Sequence, residues 1–200
     1  LTSTIGNFQK KNAEVYNEIE MAYNLNHSKV APVKAKADRL RKAAKEAVEY
    51  IEKLKYRIVV LADGEEEADV MNVKAKDNLD IGSQVMLLEG KGKELREMIA
   101  AYRELVLSYV STNDTVLRKA INICLSTDDP KTENTDFRSW ESAKFEGVPL
   151  IGVVTLLTML QADILRTESD IVRYLYNSVD SESFKFNKLE ALVIPNSRYV

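Results

Sequence analysis

The sequence is poor in the residues that break helices and in those that most often carry catalysis. Its 200 residues include only 7 Gly and 4 Pro, with a single Cys and a single His. So few breakers favour long helices over a β fold with many turns. One cysteine, Cys124, cannot form an intrachain disulfide, and this alone does not fix the compartment. One histidine, His27, supplies little for a His-based catalytic triad or a zinc site.

One apolar run raises the question of a membrane segment. The run from Val148 to Leu160 reads VPLIGVVTLLTML and carries no charge. A membrane-spanning helix needs about 20 apolar residues, whereas this run is shorter and contains Pro149. Beyond it, apolar residues return every three or four positions as far as Leu175. We therefore predict a helix from about residue 149 to 178 whose first half is buried in the core of a water-soluble bundle.

The strongest periodic pattern lies between residues 33 and 61. Two heptad series run through it, Val33, Leu40, Ala47, Leu54 and Leu61 in one, and Ala37, Ala44, Ile51 and Ile58 in the other. Such a pattern predicts one long helix with a continuous apolar face. Pro32 suits its first turn and Gly64 suits its end. The sequence leaves open whether this face is filled within the chain or by a second copy.

Further helices and two polar connections complete the expected bundle. Helices are predicted at about residues 4–26 and 93–109, with a shorter one carrying Val116 to Cys124 and capped by Thr112 or Asn113. Asn12 interrupts the apolar face of the first helix. Residues 64–92 form a long connection with one short helical turn, which either has a function or packs as a lid. Trp140 is predicted to anchor the polar segment 126–147 in the bundle.

The character of the chain changes after Ser181. The segment FKFNKLEALVIPNSRYV combines aromatic and branched residues with partial alternation, which is typical of strands. We therefore predict a mainly α fold with two parts. Residues 1–180 form a bundle of long antiparallel helices, and residues 181–200 form the first strand or strands of a truncated β-rich domain. Phe184 and Phe186 would share one strand face and couple the bundle to that domain.

The sequence offers no constellation for catalysis, a cofactor or a metal, so we predict that the chain is not an enzyme. The stretch GKGKEL at Gly90 lacks the spacing of a phosphate-binding loop. The acidic run from Glu65 to Glu67 is more typical of a solvated loop than of a cation site. His27 is expected at the surface or as a cap, and Cys124 packed on an apolar stripe. The net charge of -3 does not suggest a nucleic-acid-binding protein.

The carboxyl-terminal part of the chain resembles the PorM/GldM family. The resemblance rests on Pro149, on TLLTMLQADI from Thr155 to Ile164, on Glu168, and on the segment FKFNKLEALVIPNSRYV, which occur in the family's order. The family consists of the large periplasmic subunits of the type IX secretion and gliding-motility machinery of Bacteroidetes.

The resemblance implies a place and partners for the chain. It implies the periplasmic portion of a single-pass inner-membrane protein, with a transmembrane helix just before Leu1 and several β domains after the helical one. It also implies a homodimer that pairs in the membrane with a PorL/GldL-type subunit and uses the proton-motive force. The motion would pass to an outer-membrane-associated PorK–PorN or GldK–GldN ring. No cofactor is implied.

Two other classes of function stay open from the residues. One is a periplasmic ligand-sensing helical bundle, which needs a pocket with converging polar groups. The other is a soluble coiled-coil scaffold unrelated to secretion.

Overall fold

A computed structural model describes the backbone of residues 2–66, 68–130 and 138–190, and the side chains of residues 3–179 within those ranges. Every regular element in this part of the chain is helical. The helices are α1 (Thr2–Leu25), α2 (His27–Asp63), α3 (Asp80–Ser83), α4 (Lys91–Tyr109), α5 (Thr115–Cys124), α6 (Trp140–Phe145) and α7 (Leu150–Glu190), with a π-helical turn, Gln84–Leu88, directly after α3. The mainly α prediction is confirmed.

Helices α1 and α2 form a tight antiparallel hairpin through a single residue, Asn26. Its side-chain oxygen accepts a hydrogen bond from the backbone N–H of Lys29 at 3.2 Å, which satisfies one of the free donors at the start of α2. Because of this cap, α2 begins at His27, ahead of Pro32. Pro32 is the sixth residue of α2 and lies inside the helix, not in its first turn as predicted, so its missing N–H removes one hydrogen bond of the helix.

Helix α2 is the centre of the bundle and packs against α1, α4 and α7. Both heptad series are buried along most of its length, including Leu40, Ile51 and Ile58, which have no exposed surface. Val33 is half-buried and Leu61 is exposed, at the two ends of the series. The question left by the sequence is therefore answered: the heptad face is filled by helices of the same chain.

Helix α7 carries the apolar run of the sequence. Its segment Leu150–Val179 is long and apolar enough to cross a membrane by length and composition alone. In the folded chain, however, Leu150, Leu157 and Ile164 are completely buried, and the helix packs along α1 and α2. One face of this run is buried in the helical core as predicted, whereas Ile151 and Met159 on its other side are 42% and 48% exposed.

The long connection after α2 holds two helix ends together. The Asp63 carboxylate accepts the backbone N–H groups of Lys74 and Ala75, both at 2.8 Å. The backbone carbonyls of Lys76 and Asn78 then accept the N–H groups of residues 151 and 150 at 3.1 and 2.9 Å. The connection therefore caps the first turn of α7, whose N–H groups have no partner within the helix.

The smaller helices lie beside α4 and α7. Helix α5 is capped by Asp114, whose carboxylate accepts the N–H of Leu117 at 3.1 Å, rather than by Thr112 or Asn113 as predicted. An aspartate two positions after Thr112 is an equally good cap. In α6, Trp140 is 3% exposed and meets Phe145 edge-to-face at 5.8 Å. The prediction that Trp140 anchors this segment is confirmed.

The carboxyl end differs from the prediction. Helix α7 continues to Glu190, although we expected it to end near residue 178 and strand backbone to begin at 181. The segment has no Gly or Pro before Pro195, and a helix satisfies its own backbone hydrogen bonds while a strand needs a neighbour. Residues 191–200 lie outside the described residues, so the β-rich domain stays a prediction.

Truncation of the buried α7 side chains tests this packing. We expect Leu157→Ala and Ile164→Ala each to lower the free energy of unfolding by about 2–5 kcal/mol, because both create cavities in a closed core. Met159→Ala on the same helix is the control and should cost much less. Urea denaturation midpoints measure the difference, and equal midpoints for all three variants would contradict the assigned core.

A close approach at the start of α4 gives a second test. A Cβ added at Gly92 would lie 2.6 Å from the Met86 carbonyl oxygen and 3.0 Å from Glu141 Cγ, whereas one at Gly6 in α1 would meet nothing within 4 Å. We expect Gly92→Ala to destabilise the chain by about 1–3 kcal/mol through overpacking. Gly6→Ala should instead stabilise it by about 0.5–1 kcal/mol. Thermal or urea unfolding measures whether the two substitutions change the stability in opposite directions.

Candidate functional site

Three polar side chains meet in the apolar contact between α1 and α7. Glu168 is 5% exposed and Asn12 is 3% exposed. One carboxylate oxygen of Glu168 accepts the Tyr16 hydroxyl at 2.7 Å, and the other accepts Asn12 Nδ2 at 2.9 Å. Asn12 and Tyr16 lie four residues apart and so share one face of α1. We call Asn12, Tyr16 and Glu168 the latch cluster.

Asn12 has a second role in this contact. Its Nδ2 also donates to the backbone carbonyl of Leu165 at 3.1 Å. These two acceptors fix the orientation of the amide. Its Oδ1 is buried and has no hydrogen-bond partner among the described residues, so one acceptor of the latch cluster stays unused.

Burial dominates the electrostatics of the latch cluster. It raises the pKa of Glu168, and the hydrogen bonds from Tyr16 and Asn12, with the charge of Arg41, only partly oppose that effect. Burial, followed by the nearby Glu168 charge, raises the pKa of Tyr16 far above its ordinary value. Tyr16 therefore keeps its proton and is the donor of the short hydrogen bond.

A cleft connects the latch cluster with solvent. Its volume is about 320 Å³, and Asn12, Tyr16 and Glu168 line it together with Arg41 and Lys45 of α2. The Arg41 guanidinium lies over the Tyr16 ring at 5.0 Å. The cleft thus has basic groups at its edge and a carboxyl group on its wall.

A second polar cluster ties α7 to α2, seven residues before Glu168. Gln161 Nε2 donates to the Val48 carbonyl at 3.0 Å and to the Glu52 carboxylate at 2.9 Å. The same carboxylate pairs with the buried Lys55 ammonium at 2.7 Å. Burial acts to raise the pKa of Glu52, but the hydrogen bonds from Lys55 and Gln161 leave it lowered. We call Glu52, Lys55 and Gln161 the α2 cluster.

The only histidine and the only cysteine of the sequence belong to neither cluster. His27 is exposed at the first position of α2, as expected, and its ring meets Tyr23 edge-on at 4.5 Å. Cys124 is half-buried in α5, with its sulfur 3.8 Å from the Thr167 hydroxyl. Burial raises the pKa of the Cys124 thiol, which lowers its reactivity.

The other residues named in the sequence fall into two groups. Glu65 and Glu66 are exposed, and Glu67 lies outside the described residues. Phe184 and Phe186 lie in the helical backbone of α7, so the strand geometry behind their shared face does not hold. Their side chains are outside the described residues, and their role in coupling stays a prediction. In the described part of the chain, no three His, Cys, Asp or Glu residues form a group suited to a metal ion.

The sequence did not predict the latch cluster as a unit. Asn12 was seen only as an interruption of an apolar face, and Glu168 only as part of a family motif. A usable signal was present, because Asn12 and Glu168 are both polar residues on otherwise apolar helical stripes. Such residues are buried only when they find hydrogen-bond partners, which suggests pairing them across helices.

Comparison with known proteins identifies the family. A family model described as the GldM N-terminal domain matches residues 1–178, which covers most of the chain. The chain belongs to the GldM family. The resemblance predicted from the carboxyl-terminal motifs is thus confirmed. A search among curated proteins gave no match.

GldM membership makes the chain a component of the gliding and type IX secretion machinery. The GldM family is not a known enzyme family. Membership is also compatible with a membrane-anchored protein. The matched range ends at residue 178, inside α7.

The latch cluster gives a stability test with a matched control. We expect Tyr16→Phe to lower the free energy of unfolding by about 1–3 kcal/mol, because it leaves a buried carboxyl oxygen without its donor. Tyr50→Phe removes a similar hydroxyl, which donates to Glu94 at 2.9 Å at the surface, and should cost clearly less. Urea unfolding of the two variants measures the difference. Equal losses of unfolding free energy would show that the buried Tyr16–Glu168 hydrogen bond stabilises the chain no more than the surface one does.

Proposed function

We propose that this domain is the periplasmic helical part of an inner-membrane motor subunit of type IX secretion and gliding. In this proposal, its long helices carry displacement across the periplasm towards an outer-membrane-associated ring. The membrane partner is a PorL/GldL-type subunit that uses the proton-motive force, and the ring is of the PorK–PorN or GldK–GldN type.

The observation that supports transmission is the closed packing of the long helices. Helix α7 has 41 residues, which corresponds to about 60 Å at 1.5 Å per residue. It lies along α1 and α2, and the heptad face of α2 is filled inside the chain. A bundle closed along its length transmits displacement better than loops do, because its core is packed to the density of a crystal.

The polar clusters support the same proposal. The latch cluster ties α7 to α1, and the α2 cluster ties α7 to α2. A slip of α7 along its neighbours would leave buried polar groups without partners, which costs about 1–3 kcal/mol for each group. The helices therefore resist sliding and move as one body.

Dimer formation belongs to the proposal and needs a surface other than the heptad face. Helix α5 offers one, because Val116 and Ile123 are 80% and 69% exposed and lie seven residues apart on one helix face. Family membership favours the secretion hypothesis over an unrelated scaffold. The cleft beside Tyr16 is the place where the ligand-sensing alternative would put a small molecule.

Continuity of α7 into the following domain is the feature to test. In the full-length protein, residues 181–183 (Ser181, Glu182 and Ser183) are replaced by three glycines in one variant and by three alanines in another. Each glycine costs about 1 kcal/mol of helix stability relative to alanine, so only the first variant weakens the helix. We expect the glycine variant to lose secretion and gliding and the alanine variant to keep both.

The readouts separate transmission from assembly. Secretion of a type IX cargo and colony spreading measure function, while membrane fractionation and cross-linking measure insertion and dimers. Insertion and dimers should be unchanged in both variants. Normal secretion by the glycine variant would contradict transmission through a continuous helix.

A further inference from the structure

We propose that Glu168 is a proton-responsive latch, which holds α1 firmly on α7 when its carboxyl group is protonated and loosens when that group is ionised. The proton comes from water and binds one carboxylate oxygen. The proposal concerns the packing of one helix within the domain and does not depend on the function proposed above.

The geometry places an ionisable group where a charge is poorly compensated. Glu168 is almost completely buried, and both of its hydrogen bonds go to α1, from Tyr16 and Asn12. No salt bridge among the described residues involves Glu168. Arg41 of the cleft, whose charge acts on Glu168, lies over the Tyr16 ring. A buried carboxylate without a paired charge costs free energy that the neutral acid does not.

The latch cluster also contains a buried acceptor that has no donor among the described residues. Asn12 Oδ1 is a buried acceptor without a donor in the described part of the chain, on the amide whose nitrogen faces Glu168. A protonated carboxyl group adds one O–H donor, whereas the carboxylate only accepts hydrogen bonds. The cleft that Glu168 lines gives water a route to the carboxyl group.

Among the buried groups that face one another here, Glu168 is the one that changes its charge between acid and neutral pH. Tyr16 of α1 and Tyr102 of α4 both face it, and burial raises the pKa of each hydroxyl. Both therefore stay neutral from acid to neutral pH. Helix α2 contributes Arg41, Lys45 and Glu49 at the mouth of the cleft, where Lys45 pairs with Glu49 at 3.7 Å.

The direction of the pH effect follows from the raised pKa of Glu168. The ordinary value for a glutamate is 4.5, and in the folded chain the pKa of Glu168 lies above it because of burial. Between these two values the folded state binds more protons than the unfolded state. The stabilisation is fully present below the ordinary value and is lost as the pH rises through the folded-state pKa.

Hydrogen exchange of the 200-residue chain tests the latch. Amide exchange in α1 is measured from pH 4.5 to pH 8, corrected for intrinsic rates, in the natural chain and in Glu168→Gln. In the natural chain, the equilibrium constant for opening α1 should rise with pH by up to about tenfold per pH unit within the titration window. In Glu168→Gln, which cannot ionise, it should stay flat.

Two neighbouring acids on α7 provide matched controls. Burial also raises the pKa values of Asp163 and Asp170. At Asp163 a hydrogen bond with Cys124 and the charge of Arg166 partly oppose this, and at Asp170 the charges of Arg166 and Arg173 do so. Neither acid belongs to the latch cluster. Asp163→Asn and Asp170→Asn should keep the pH response of α1. If either variant abolishes the response, or if Glu168→Gln retains it, the latch is wrong.

A direct titration of Glu168 in the natural chain gives a result that does not depend on whether the variants fold. Carbon NMR of the Glu168 carboxyl group in the natural chain should give a midpoint above 4.5, the ordinary value. Tyr16→Phe should move that midpoint higher, because it removes a hydrogen bond that favours the charged form. A Glu168 midpoint at or below the ordinary value would overturn the proposal.

Discussion

The bundle depends on the close packing of α2 against three other helices. Ala37, Ala44 and Ala47 are each 1% exposed, and their small side chains let neighbouring backbones approach closely. Larger residues further along the helix, such as Ile51 and Ile58, then fill the wider part of the core. Because α1, α4 and α7 all contact this one helix, the position of each of them is set relative to α2.

Apolar packing alone would not fix how these helices align along their length. Heptad faces tolerate a shift of one repeat, since each repeat presents a similar surface. The latch cluster and the α2 cluster do not tolerate it, because their partners stand at single positions on α1, α2 and α7. Their buried polar groups therefore select one alignment. In the latch cluster that selection rests on a carboxyl group whose charge depends on pH.

The helical part of the fold could be predicted because it depends on apolar residues that repeat at short, regular spacings in the sequence. The heptads of α2 and the apolar stripe of α7 predicted that both segments are helices, with the end of α2 and the start of α7 close to those observed. The family resemblance rested on Pro149, the segment Thr155–Ile164, Glu168 and residues 184–200. The end of α7 could not be predicted in this way, because the same branched and aromatic residues suit a strand or a helix until neighbours decide. The latch cluster joins positions more than 150 residues apart. A pattern confined to neighbouring residues cannot predict which distant residues come into contact. The polar side chains of Asn12 and Glu168 on apolar helix faces indicated only that each needs a hydrogen-bond partner, not which residue provides it.

The capping of α7 by the connection after α2 bears on the order in which the domain is assembled. The carbonyls of Lys76 and Asn78 bind the start of a helix that lies more than 70 residues later in the chain. Such a distant contact forms only after the loop between its ends has closed, which makes it a late event in folding. The α1–α2 hairpin is local and can form early, but its apolar face stays open until α7 arrives. A chain emerging amino end first therefore exposes this apolar face until α7 is available to cover it, and the exposed face favours aggregation in that interval.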